Sequence, residues 1–147
     1  MVSGGFLLAA FGAVVGAILG GGLSAWTSRR TVRVQTTLRL FDEWHSSEMR
    51  RYRDTAYMLL KGTKNIEEAF ATADDDGKHA ISVVAHYWEK AALLYLHGET
   101  KKSIFKPFLG SITRYWYDLL FGVSNDPKNY GEWNIIAQRM KTLTREV

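Results

Sequence analysis

At 147 residues, with no cysteine, the chain is long enough for one domain with one core and too short for two of ordinary size. Its net charge of +4 comes from 19 Lys/Arg against 15 Asp/Glu. Basic residues alternate with acidic ones, so no basic run is dense enough for a nucleic-acid site. There is no thiol nucleophile, and the lack of cysteine agrees with a reducing, cytoplasmic domain.

The first 28 residues carry no charged side chain, and residues 5–26 read GFLLAAFGAVVGAILGGGLSAW. About 20 apolar residues at 1.5 Å rise match a ~30 Å hydrocarbon core. A lone segment in lipid must satisfy its backbone internally. The sequence therefore predicts a transmembrane helix as an anchor over residues 1–28, with the span at about 5–26, and a cytoplasmic domain over 29–147. Trp26 falls where an interfacial aromatic belongs. Arg29, Arg30 and Arg33 follow it and nothing basic precedes the span, which predicts a single-pass protein of the inner membrane, N-terminus out. A cleaved signal peptide ending at Ala25 fits less well, because it calls for a basic start and a shorter apolar core. Gly12, Gly16 and Gly20 form a double GxxxG, extended by Gly5, Ala9 and Ser24. Small residues at this spacing let helices pack closely in lipid, with another copy or another membrane subunit. The plainer reading is the ordinary glycine enrichment of membrane helices.

Residues 29–61 hold eight Lys/Arg and four Asp/Glu, a composition drawn to anionic lipid, with Arg29, Arg30 and Arg33 nearest the membrane surface. Strand signals are nearly absent, and apolar spacings of three and four dominate. Val34, Leu38, Phe41, Trp44 and His45 share one face of a helix continuous with the anchor. Ser46 or Ser47 can cap a second helix with Met49, Tyr52, Ala56, Leu59 and Leu60 on its inner face, ended by Gly62. A short helix is expected over 65–73, then a loop over 74–77 with Asp76 as cap. The helix expected over 78–97 is apolar around most of its girth and reads as central, with Ile81, Val84, Trp88, Ala91 and Tyr95 as its main stripe. A further helix begins at 101, breaks near Pro107 and resumes over 110–121. A turn at Asn125-Asp126-Pro127 separates it from a last helix carrying Trp133, Ile136, Met140 and Leu143. The fold class expected is all-α, a compact bundle of four to six helices behind the anchor.

Candidate chemistry is sparse. His86 and Glu89 share one side of the central helix and His97 returns near the same stripe, so these three form a polar strip. With Asp42 and His45 they are the only basis for a metal-dependent enzyme, because helical di-metal bundles draw Glu and His ligands from several helices. The simpler reading of the strip is solvated or hydrogen-bonded side chains, and no metal or cofactor is expected. The acids Asp74, Asp75 and Asp76 lack the spaced oxygens and terminal glutamate of a calcium loop. The dense aromatic residues read as core. Ser103, Ser111 and Ser124 lie in no nucleophile-elbow context, and no glycine loop follows a strand.

One resemblance stands out. The stretch His86-Tyr87-Trp88-Glu89, the following Leu93-Leu94-Tyr95, Gly98, and Ile112 with Tyr115-Trp116 resemble the DUF4760 group of bacterial membrane-anchored proteins, in layout over about residues 37–140. The resemblance implies a helical domain with no catalytic residue to carry over, and a small accessory or defence-associated membrane protein. The function expected is a non-enzymatic accessory subunit acting through protein–protein interaction or self-assembly, with lipid, a homo-oligomer or another membrane subunit as partners and no nucleic acid. The alternatives are an oligomerising membrane effector of an antiphage system and the metal-dependent enzyme.

Overall fold

The structure, a computed structural model, describes residues 4–122 and 130–147, with side chains from Ser24 onward. Its elements are α1 (Gly4–His45), α2 (Ser47–Lys61), α3 (Ile66–Thr72), α4 (Asp75–Leu96), α5 (Lys102–Phe121), a 3-10 turn (Gly131–Trp133) and α6 (Asn134–Glu146). Among the described residues there is no strand, so the all-α bundle stands.

The transmembrane anchor expected over residues 5–26 is corrected. Among the described residues no helix is long and apolar enough to cross a membrane. From Ser24 onward α1 carries Arg29, Arg30, Arg33 and Arg39, charges that interrupt any apolar run of the ~20 residues a span needs. The transmembrane and single-pass descriptions fall with it. The glycine face of Gly12, Gly16 and Gly20 lies outside the residues whose side chains are described.

Short polar residues set the helix starts. Ser46, in extended conformation, separates α1 from α2, and its hydroxyl accepts from Met49 N at 3.1 Å. Asn65 caps α3 through Glu68 N, while the Glu68 carboxylate accepts from Lys64 N at 2.8 Å. The cap of α4 is Asp74, which accepts from Gly77 N at 2.8 Å, and not Asp76. The helix consequently starts at Asp75, three residues earlier than the sequence suggested, and places Asp75 and Asp76 at its positive end. Gly77 is buried there because a Cβ would lie 2.7 Å from Leu59 Cδ1 of α2.

α4 is the central helix, in contact with α2 and α6 along its length. Its expected stripe is fully buried, and Ala80, Ala85, Ala91 and Ala92 keep the neighbouring helices close. Trp133, Ile136, Met140 and Leu143 close the far side as expected. Trp44 of α1 enters from the near side, with its ring centroid 4.8 Å from Tyr87, 4.7 Å from Trp88 and 5.6 Å from Trp116. The Arg53 guanidinium lies 4.6 Å from the same ring.

Two further expectations change. The buried face of α1 is Thr37, Leu40 and Trp44, whereas Leu38 and His45 are exposed. The reason is a polar contact that an apolar pattern passes over: Thr37 Oγ1 accepts from Lys101 N at 2.8 Å while donating to Arg33 O. Pro107 does not break α5, which runs through it. The ring removes only the N–H that would meet Ser103 O, and both residues are exposed, so that carbonyl is left to solvent. The Asn125-Asp126-Pro127 turn lies outside the described residues.

Tyr87 ties α4 to α1, its hydroxyl donating to Leu40 O at 2.8 Å. Burial pushes this phenol far above the ordinary tyrosine range, the Glu43 charge adds to the rise, and Arg53 opposes it. A raised phenol pKa contributes stability that is complete below the unfolded value of about 10 and drains as pH rises beyond it. Alkaline titration should therefore show a fraction of tyrosine that ionises only as near-ultraviolet circular dichroism collapses, and Tyr87→Phe should shrink that fraction. Full phenolate formation near pH ~10 with the dichroism intact would contradict this.

Candidate interaction surface

α1 and α5 run side by side in the same direction, Thr37 meeting Lys101, Phe41 meeting Phe108 and Trp44 meeting Trp116. Along their seam the fold leaves large apolar side chains in water. Leu38 is 45% exposed, Phe108 52% and Tyr115 51%. Phe41 and Phe108 sit edge to face at 5.2 Å, and Ile112 lies half-buried one turn on. Phe108, Ile112 and Tyr115 follow helical spacing on the outer face of α5, so the seam is a continuous stripe rather than scattered contacts.

Where α1 leaves the bundle, a basic collar surrounds it. Two shallow hollows of about 360 and 430 Å³ lie against the helix. The first is lined by Ser28, Arg29, Val32, Arg33 and Glu99, the second by Trp26, Arg29, Arg30, Arg33 and Lys101. Trp26 is exposed, with the Arg30 guanidinium 5.8 Å from its ring centroid. Among the described residues no ion pair involves Arg29, Arg30 or Arg33. Thr37 joins collar to bundle through the start of α5. Thr37→Val keeps the shape and strands the Lys101 N–H, which should cost about 1–2 kcal/mol in chemical denaturation. A loss no larger than for an exposed control such as Thr31→Val would remove Thr37 from that role.

The polar strip of the central helix comes together only in part. His86 Nδ1 lies 2.7 Å from Ser82 O, and its ring faces Trp133 at 6.2 Å, beside Phe70 and Glu132. Glu89 is ion-paired with Arg139 of α6. His97 is exposed at the other end of α4, just over two turns beyond Glu89. Asp42 and His45 are exposed on α1, where His45 Nδ1 lies 2.8 Å from Phe41 O. Among the described residues, no three His, Asp or Glu side chains are grouped to hold a metal ion. Glu89 faces α6 as a structural ion pair, and that partner was not evident because Arg139 lies 50 residues away in sequence.

The fold and its surface define an all-helical domain whose most distinctive described features are a covered aromatic core and an uncovered aromatic seam. Residues 3–121 match the family described as a domain of unknown function, DUF4760, and the chain belongs to that family. No curated protein and no solved structure matches it.

Proposed function

We propose that this chain is a non-catalytic interaction module, an accessory subunit that docks a partner protein along the α1–α5 seam. The observation that carries this reading is the stripe of Leu38, Phe108 and Tyr115, apolar side chains half in water on a domain whose other large residues are mostly buried. Exposed aromatic residues grouped on one face are the composition of interface hot spots. The collar supports a second contact of the same module. Arginines beside an exposed tryptophan suit anionic headgroups, which would bring the domain to the inner face of the cytoplasmic membrane.

The test is purification of the tagged full-length protein in mild detergent from its native cells, with the mass and composition of what elutes. A stoichiometric companion should be lost in Phe108→Asp and kept in Ile135→Asp, an equally exposed apolar site on α6. A second copy of the chain lost in the same variant would make the module self-assembling. Equal retention in both variants, or a lone monomer throughout, would refute the seam. For the collar, flotation with phosphatidylglycerol vesicles should exceed flotation with neutral vesicles, and replacing Arg29, Arg30 and Arg33 by glutamine should abolish the difference.

A further inference from the structure

The larger of the two collar hollows, about 430 Å³, is lined by Arg29, Arg30 and Arg33 of α1, by Lys101 at the start of α5, and by Trp26. No carboxylate lines it. Arg29 and Arg33 are one turn apart on the same face, a like-charge spacing that repels. Among the described residues the side chains of Arg29, Arg33 and Lys101 make no ion pair or hydrogen bond, and Arg30 meets only the Trp26 ring. Glu99 lines the smaller hollow beside Arg29 and Arg33. The two hollows together thus hold four cations against one carboxylate, an excess of three positive charges. The first turn of α5 adds to the same sign, because it has no acidic residue and no side-chain cap. The cations come from two elements, and Thr37 fixes their register: its hydroxyl accepts from Lys101 N at 2.8 Å and donates to Arg33 O. Like charges held together without a counter-charge store repulsion that a bound anion relieves.

We infer that this hollow is a site for a phosphate monoester, whose two negative charges it prefers to the single charge of a phosphodiester. The inference rests on the collar reading given above and names the headgroup chemistry within it. A diester would leave two of the three excess charges uncompensated, and a monoester dianion leaves one. The second ionisation of a monoester falls near pH ~6 in water, and the surrounding cations lower it, so the bound group is a dianion at neutral pH. Guanidinium groups from α1 can meet the phosphate oxygens in pairs, while the Lys101 ammonium supplies a point charge from the other side of the junction. The same chemistry is offered by a lipid such as phosphatidic acid and by a free monoester. Trp26, 62% exposed at the rim, suits the glycerol boundary of a bilayer and favours the lipid.

The experiment is flotation of the full-length protein with phosphatidylcholine vesicles carrying either phosphatidic acid or phosphatidylglycerol, the second raised until the surface charge is equal. Wild type should bind the phosphatidic acid vesicles about fivefold more tightly, the worth of one further charge near the surface. Arg33→Gln and Lys101→Gln should each erase that preference. Arg39→Gln should keep it, because Arg39 lines neither hollow. A calorimetric arm with methyl phosphate and dimethyl phosphate at constant ionic strength separates the sources. A saturable response to methyl phosphate alone would support a site that also takes the free monoester, and silence toward both beside the vesicle preference would support a lipid site. Flotation on phosphatidylglycerol that needs the arginines, with no monoester preference in either arm, would overturn this inference and leave the collar reading standing. No flotation on either anionic vesicle would remove both. A preference kept in Lys101→Gln would overturn the site at the junction, leaving the arginines of α1 alone.

Discussion

Trp44→Ala should be the most damaging single truncation in the described core, lowering stability by about 3–5 kcal/mol. The side chain is 1% exposed and three aromatic rings lie within 5.6 Å of its centroid. Its removal leaves a cavity bounded by Tyr87, Trp88 and Trp116, whose backbones sit on two helices fixed by other contacts, so collapse is limited. It also leaves Arg53, whose guanidinium pKa is lowered chiefly by burial, without the ring it covers. Trp44→Phe should recover more than half of the loss. The check is urea denaturation of the full-length protein, read from tryptophan fluorescence and far-ultraviolet circular dichroism together. A loss below about 1 kcal/mol, the scale of an ordinary surface change, would mean that α1 does not pack here as described.

Gly122→Val should cost about 2–3 kcal/mol, for two reasons that add. Gly122 ends α5 at φ 72° and ψ 171°, a region that side chains with a Cβ scarcely enter. A Cβ there would also lie 3.1 Å from Lys64 O, in the turn before α3, and a backbone carbonyl cannot swing aside. Gly98, at φ 73°, is the internal control, because nothing lies within 4 Å of a Cβ placed on it. Gly98 closes α4 with Gly98 N donating to Tyr95 O and Glu99 N to Leu94 O, a left-handed cap that side chains enter more readily than the Gly122 conformation, so Gly98→Val should cost less than Gly122→Val through both the milder backbone and the missing clash. Equal losses would assign the whole effect to the positive φ that the two glycines share, and a neutral Gly122→Val would contradict the geometry at the end of α5.

The parts of this fold that could be read in advance are those where one period decides the answer. In α4 and α6 the buried residues recur every three or four positions, and Ile81, Val84, Trp88, Ile136, Met140 and Leu143 are all core. The inner face of α1 escaped because one of its three buried members is Thr37, held by a hydrogen bond to a residue 64 positions away. Asp74, Asp75 and Asp76 are equivalent as cap formers, and the choice among them is made by the contact of Gly77 with Leu59 on α2. The seam was hidden for a related reason. Phe108 and Tyr115 are as apolar as their buried neighbours, and their exposure depends on where α1 lies, which no local pattern encodes. Arg29, Arg30 and Arg33, expected beside a membrane surface, are exposed side chains of α1. The anchor expected ahead of them rested on composition and is not found among the described residues.

The continuity of α1 past Thr37 has a mechanical consequence. The helix is gripped by the bundle at Thr37, Leu40 and Trp44, and the arginines sit one to two turns ahead of that grip on the same unbroken rod. Each residue of an α-helix turns its side chain by about 100°. The bearing of the arginine face relative to the aromatic seam is therefore a phase angle, set by the number of residues between Arg33 and Thr37. A single alanine added in that interval swings one face by roughly a third of a circle while the core remains as it was, and seven residues restore the original bearing with a displacement of about 10 Å. The two surfaces of this domain are geared to each other by a count of residues, and neither can be re-aimed without the other unless that count changes.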